Sequence, residues 1–255
     1  MKSKLVISLC LMLAVSSVTA ADYDATIKFA HKVILSVPVT GEISQLNVKT
    51  GNKIKQGDIL LSLDKVPFEA SVSQEQANVV KQEAILQETR RDMEQLTELY
   101  ERGVLSAVEL ENGKLKFQRA SADHRAAQSR LVKAQYNLEH SSVKAPFSGW
   151  VLDIKVNQHE MVNNVVKVMP LMSVAEKDKY EAFALVPLSA ISKLKIGSRS
   201  NVSISKKSYP GTISTIGLEP ANTEGKEKVY EVRVLFGSGG KLLRSGQPAR
   251  VSFSQ

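Results

Sequence analysis

The side chains able to do chemistry are few in this 255-residue chain, and none falls at a working spacing. The four histidines, His31, His124, His140 and His159, are never three or four residues apart, so no pair has the spacing of metal ligands. Met161, Met169 and Met172 carry the soft sulfur that suits copper, but at strand spacing they are read as core. Gly237-Ser238-Gly239-Gly240-Lys241 lacks the spacing of a phosphate loop and the Ser or Thr after its lysine, so it is read as a turn. No serine, histidine and aspartate group into a nucleophilic set. No catalytic residue, cofactor or metal is expected.

The single cysteine, Cys10, lies in an apolar run from Leu5 to Val15, after Met-Lys-Ser-Lys and before Ser-Ser-Val-Thr-Ala. Residues 1–20 therefore read as a cleaved secretory signal. The run is short of the roughly 20 residues of a membrane span, and an uncleaved inner-membrane anchor is the alternative. Ile7-Ser8-Leu9 lack the small residue expected before a lipidated cysteine. The mature chain then has no thiol and no disulfide, and must hold itself together by burial. Without Lys2 and Lys4 it has 32 basic and 26 acidic residues, a net charge of +6. No basic run is interleaved with aromatics, so nucleic acid is not an expected partner; the charge reads as a solvated surface.

The elements that position these residues are announced by a duplication. Val37-Pro38-Val39-Thr40-Gly41-Glu42-Ile43 is matched by Ala145-Pro146-Phe147-Ser148-Gly149-Trp150-Val151. Further on, Leu60-Leu61-Ser62-Leu63 is echoed by Leu171-Met172-Ser173-Val174. Two copies argue against a solenoid and for one domain folded from two half-motifs. Each half has too few strands to bury a face alone. Val48 to Ile54 reads as strand, turn at Gly51, strand. Asp64-Lys65 resembles a lipoate-bearing pair, but a carrier needs its lysine on a tight hairpin between the halves, and here a long segment intervenes.

That segment, Phe68 to His140, contains no proline. Val72, Val79, Leu86, Met93 and Tyr100 recur every seven residues, as do Leu110, Phe117, His124, Leu131 and Leu138. Ala120, Ala127 and Ala134 accompany the second set. Sevenfold spacing on both arms predicts an antiparallel coiled-coil hairpin, with polar His124 setting register. Pro67 suits the first turn, Gly103 the left-handed stop, and Ser106-Ala107-Val108-Glu109 a capping box. Two helices of about 35 residues give a rod on the order of 50 Å long. The remainder alternates in Asn201 to Ser205, Tyr230 to Val234 and Arg250 to Phe253, which predicts a small antiparallel β-barrel. A short helix over Ala190 to Lys195, capped by Ser189, is also expected.

The order of these parts resembles the periplasmic adaptors, or membrane fusion proteins of the HlyD kind, of tripartite efflux pumps and type I secretion systems. Val143-Lys144-Ala145-Pro146-Phe147-Ser148-Gly149, Gly51-x5-Gly57-Asp58-Ile59-Leu60 and Leu243 to Val251 carry the resemblance. It implies an α+β fold: a lipoyl-like β-sandwich from two half-motifs, an inserted coiled-coil hairpin, and a C-terminal barrel. The expected boundaries are 33–67 plus 141–176 for the sandwich, 68–140 for the hairpin and 177–255 for the barrel. Residues 21–32 are expected to be an N-terminal strand segment joining that barrel.

The resemblance also implies a non-enzymatic role in the periplasm, inner-membrane associated through its partner. There the chain would link an inner-membrane transporter to an outer-membrane channel as a homo-oligomer, a hexameric ring. A resistance-nodulation-division (RND) transporter is favoured; a type I or ABC/MFS exporter is the alternative, and a lipoyl-like carrier module the distant one. Members dock on the channel through an arginine, leucine and serine at the hairpin tip. Leu99 and Ser106 match, but Gln95 stands at the arginine position. The tip contact is therefore expected from Leu99, Arg102, Gly103, Val104, Leu105 and Ser106. The chain stops at Phe253-Ser254-Gln255, so a membrane-proximal domain is expected to be absent or vestigial. Arg199, Lys206, Lys207, Arg244 and Arg250 are then expected to meet the transporter.

Overall fold

The structure, a computed structural model, describes residues 22–163, 168–221 and 227–253. The signal expected over residues 1–20 lies outside the described residues. The described residues divide into two compact units, one of those in 22–31 and 178–253 and the other of those in 32–177.

The second unit contains the duplication, and its strands follow it closely. The first half gives β2 (Lys32–Leu35), β3 (Gly41–Leu46), β4 (Lys53–Ile54) and β5 (Ile59–Leu63). The second gives β6 (Ser142–Lys144), β7 (Gly149–Ile154), β8 (Met161–Val162) and β9 (Met172–Glu176). They form two four-stranded sheets, ordered β2-β9-β7-β4 and β6-β5-β3-β8. Exchanging each strand for its counterpart converts one sheet into the other, so the sandwich has pseudo-twofold symmetry. Hydrogen bonds repeat as well: Gly51 N–H donates to the Val151 carbonyl at 2.8 Å, and His159 N–H to that of Ile43 at 2.8 Å. Between the sheets lie Val37, Ile43, Ile54, Leu60, Leu61, Leu63, Val151, Leu171 and Val174, all nearly inaccessible. Burial of this apolar surface is what joins the halves.

Two expectations are corrected here. Residues 47–50 are not strand, and β4 does not fold back on β3 but pairs with β7 of the other half. The left-handed corner at Gly51 (φ +87°) turns the chain across to that half. Among the methionines, Met172 is core, but Met161 is 61% exposed. In β8 it is Val162 that turns inward, so alternation sends Met161 out.

Two long helices interrupt the sandwich: α1 (Val66–Glu101) and α2 (Ala107–Glu139). At 1.5 Å per residue, the 36 residues of α1 make a rod of about 54 Å. The residues turned inward on α2 are Leu110, Gly113, Phe117, Ala120, His124, Ala127, Leu131, Ala134 and Leu138, alternating three and four apart. Val72, Val79, Leu86 and Met93 are half-buried opposite them, whereas Tyr100, expected on the same stripe, is 43% exposed. It stands at the last turn, where the partner helix has only begun.

The first unit is a closed barrel ordered β1-β10-β13-β12-β11-β14. Its strands are β1 (Asp22–Phe29), β10 (Tyr180–Pro187), β11 (Arg199–Ile204), β12 (Lys207–Pro220), β13 (Val229–Phe236) and β14 (Pro248–Phe253). Strict alternation, as in Ala182-Ala184-Val186 and Val202-Ile204, fills the interior around Ile27, Tyr180 and Phe236. The short helix α3 is Leu188–Ile191, begins after extended Pro187, and has no side-chain cap, correcting the expected cap at Ser189. The Leu188 N–H donates instead to the Lys228 carbonyl, at 3.2 Å, so tertiary pairing supplies the partner.

Candidate functional site

Cross-helix pairs fix the register that delivers the hairpin tip. Arg130 lies 3.4 Å from Glu75, and the Arg90 guanidinium sits 5.9 Å from the Phe117 ring. His124 Nε2, buried in the seam, approaches Glu83 Oε2 to 2.8 Å without hydrogen-bond alignment. Gly113 gives Leu96 its space: a Cβ there would lie 2.5 Å from Leu96 Cδ1. Neither Gly113 nor Leu96 figured in the sevenfold reading, which began the accompanying small-residue series at Ala120 and followed only one apolar position per heptad on the first arm.

The turn itself is rigid for chemical reasons. Gly103 (φ +73°) donates its N–H to the Tyr100 carbonyl at 2.9 Å, and Val104 donates to Leu99 at 3.0 Å. Together these bonds are a Schellman motif, which satisfies carbonyls that α1 would otherwise leave open. On the other side the Ser106 Oγ accepts from the Glu109 N–H at 3.2 Å, and the Glu109 carboxylate accepts from the Ser106 N–H at 3.1 Å. The Ser106 hydroxyl also donates to that carboxylate at 2.7 Å. These bonds from Ser106 hold the Glu109 carboxyl below its usual range.

This geometry redistributes the roles expected at the tip. The Ser106 hydroxyl is engaged in capping, so it shapes the turn rather than facing outward. Arg102 is engaged by Glu98 one helical turn back. Leu105 is half-buried and Leu99 is 40% exposed. The most open apolar residues are Val104, at 73%, and Val108, at 71%, joined by Tyr100. Val108 and Tyr100 were missed because one was read only as capping-box filler and the other as seam. The tip is acidic as well. Glu98 and Glu101 occupy the last turn of α1, Glu109 the first turn of α2 with Glu111 just beyond it, and α1 has no basic residue in its last turn. Carboxylates at a helix C-terminus oppose the helix dipole.

The five barrel cations do not form one patch. Arg199 and Ile204 end β11, so Arg199 lies about 17 Å along the strand from the turn bearing Lys206 and Lys207. Arg250 faces Asp24 at 3.6 Å, and Arg244 lies in the β13–β14 loop. Lys207 approaches an unanticipated neighbour, Lys241, whose ammonium it pushes below the usual range by hydrogen bonding and repulsion. Lys65 immediately precedes α1 rather than sitting on a hairpin tip. Among the described residues no three His, Cys, Asp or Glu gather as metal ligands, and no helix is long and apolar enough to cross a membrane.

Comparison with known proteins places this geometry. The family model described as RND MFP, barrel-sandwich hybrid domain, matches residues 31–169, more than half of the chain. The uncharacterized protein YdhJ of Escherichia coli (strain K12) is 25% identical over 190 residues, covering 74% of this chain and 65% of the relative. The multidrug resistance protein MdtA of Pectobacterium atrosepticum is 30% identical over 124 residues, covering 49% of this chain and 30% of the relative. Each match spans less than two thirds of the relative's length. In fold, the chain is similar to the membrane fusion protein Spr0693 from Streptococcus pneumoniae R6, with TM-score 0.73 at 14% identity, covering 92% and 99% of the two chains. It is also similar to a MacA-MexA chimeric protein containing the Pseudomonas aeruginosa MexA α-hairpin domain, with TM-score 0.64 at 20% identity, covering 92% and 78%.

Proposed function

The chain belongs to the membrane fusion protein family that carries the RND MFP barrel-sandwich hybrid domain, and from that premise we propose that it is the periplasmic adaptor of a tripartite efflux pump. In this reading it joins an inner-membrane transporter to an outer-membrane channel and catalyses nothing itself. The naming of the MdtA relatives supports small molecules as cargo, and the family description supports a transporter of the RND type. The packed arms are read as a coiled coil, and the working assembly as a ring of about six copies. The barrel, through Arg199, Lys206, Lys207, Arg244 or Arg250, is the transporter-facing part.

The observation that carries this reading is the tip: a rod of about 54 Å whose rigid turn presents Val104 and Val108 to solvent. Apolar side chains that are costly to expose, held on a fully bonded turn, are what a docking surface needs. Leu99, Tyr100, Val104 and Val108 carry the contact; Gly103, Leu105 and Ser106 shape it, and Arg102 is held by Glu98. The acidic collar favours a channel end bearing cations, so docking weakens as salt rises.

Val104→Asp is the direct test, because an exposed side chain is changed without disturbing the cap. Export should fall to background while the protein is secreted and Trp150 fluorescence stays native. Undiminished export in that variant would overturn the docking role of the tip.

A further inference from the structure

Met161 was expected in the core, and the adaptor reading has no use for the thioether that the fold turns outward instead. β8 pairs with β3 so that Met161 stands opposite Glu42, and Val162 opposite Gly41. Val162 is buried, so alternation sets Met161 and Glu42 side by side on the exposed face of that sheet. Cross-strand partners of this kind have Cβ atoms about 5 Å apart.

His159 completes the group. Its Nδ1 lies 3.0 Å from Glu42 Oε1. An ionised carboxylate can only accept, so in the neutral imidazole Nδ1 carries the proton and the Nε2 lone pair is the one open to a ligand. A carboxylate that holds the far nitrogen of a histidine is how metal-binding imidazoles are oriented. The duplication shows that this group is not a general property of the motif. In the other half, the counterparts of Glu42, His159 and Met161 are Trp150, Gly51 and Lys53, and Lys53 faces Trp150 as Met161 faces Glu42. The first corner reaches its left-handed conformation with glycine, whereas the second holds a histidine there, at φ +69°. A side chain in that conformation costs about 1–2 kcal/mol. All three departures from the counterpart half supply a donor atom.

We propose that Glu42, His159 and Met161 form a binding site for monovalent copper, with His159 Nε2 and the Met161 sulfur as ligands and Glu42 orienting the ring. The thioether sets the class of ion, because it suits soft Cu(I) and imidazole suits copper as well. Ca²⁺ and Mg²⁺ want an oxygen cage, and Zn²⁺ wants three or four nitrogen, oxygen or anionic sulfur ligands. The two ligands lie on the corner and on β8, so a bound ion ties one to the other and stabilises the sandwich by mass action. The site follows from the sandwich alone and holds whether or not the adaptor reading does.

Cu(I), kept reduced with ascorbate under nitrogen and titrated into the full chain against a colorimetric Cu(I) chelator, tests this. Cys10→Ser in every sample removes the only thiol. A single equivalent should bind. Glu42→Gln should weaken binding about tenfold, and Met161→Leu and His159→Gln each by about a hundredfold or more. All three side chains are exposed, so native Trp150 fluorescence should persist in each variant. In the unsubstituted chain, Ag(I), a redox-inert substitute, should shift the Met161 methyl resonance and leave that of buried Met172 in place. Undiminished Cu(I) affinity in Met161→Leu or His159→Gln overturns the site, as does an unmoved Met161 resonance. Binding of Zn²⁺ that survives Met161→Leu but is lost in Glu42→Gln overturns the assignment to a soft ion.

Discussion

Gly41 and Gly149 occupy the same place in the two half-motifs, yet the structure asks different things of them. A Cβ on Gly149 would lie 1.9 Å from the Ala175 carbonyl oxygen, where no side chain fits. A Cβ on Gly41 would meet nothing closer than Leu63 Cδ1, at 3.3 Å. The cause is the hairpin. In the second half β9 continues to Glu176 and pairs with Gly149. In the first half β5 stops at Leu63 and the chain leaves for α1, whose Phe68 covers Gly41 instead. Symmetry of sequence thus survives where symmetry of packing has been broken by an insertion.

The largest expected effect follows from that contrast. Gly149→Ala must displace backbone at the centre of a sheet and should destabilise the sandwich by about 3 kcal/mol or more. Gly41→Ala meets the mobile end of a leucine and should change stability by less than about 1 kcal/mol. Trp150, the only tryptophan, lies next to Gly149 on β7 and reports on this unit alone during denaturant unfolding. Equal losses at the two glycines would break the comparison.

Much of this arrangement was legible in the sequence, for reasons the same residues supply. The duplication, the sevenfold arms, the Gly103 stop and the Ser106 capping box are local patterns, and local patterns survive in one dimension. The exchange of β4 and β8 between halves was not legible. Two-residue strands carry no periodicity, and their pairing is decided by corners such as Gly51. The outward turn of Met161 was missed for the same reason. At the tip, sequence picked out the turn but not its division of labour, because only geometry shows that the Ser106 hydroxyl is already engaged. One cavity of the barrel is lined by Asp178, Arg199 and Leu235 together, a long-range juxtaposition that no spacing encodes.

A smaller effect is expected at the corners. Gly51 (φ +87°) and His159 (φ +69°) are counterparts, each donating its N–H across the symmetry axis. Only one is glycine. Gly51→Ala has open space for its Cβ but strains the backbone, and should cost about 1–2 kcal/mol. His159→Gly relieves that strain but frees the unfolded chain, which offsets about 0.5–1 kcal/mol. It also loses the 3.0 Å contact of the His159 Nδ1 with Glu42, an exposed pair of little worth. The net change at His159 should therefore be near zero. A loss there as large as at Gly51 would mean that the Glu42 contact, and not the corner, holds the second half.

The finest distinction lies one residue on. Asn52 Oδ1 accepts from the Lys49 N–H at 2.9 Å, and Glu160 Oε2 accepts from the Asn157 N–H at 2.8 Å. The two turns are thus closed identically, one by a neutral amide and the other by a carboxyl group. Both sites are half-exposed or exposed, so Asn52→Ala and Glu160→Ala should each cost only about 0.5–1 kcal/mol. Glu160→Gln retains an acceptor of the same reach and should be indistinguishable from the native protein in the Trp150 unfolding curve. Should Glu160→Gln lose as much as Glu160→Ala, the bond in the second half depends on charge. The halves would then differ at this turn, although their backbones match.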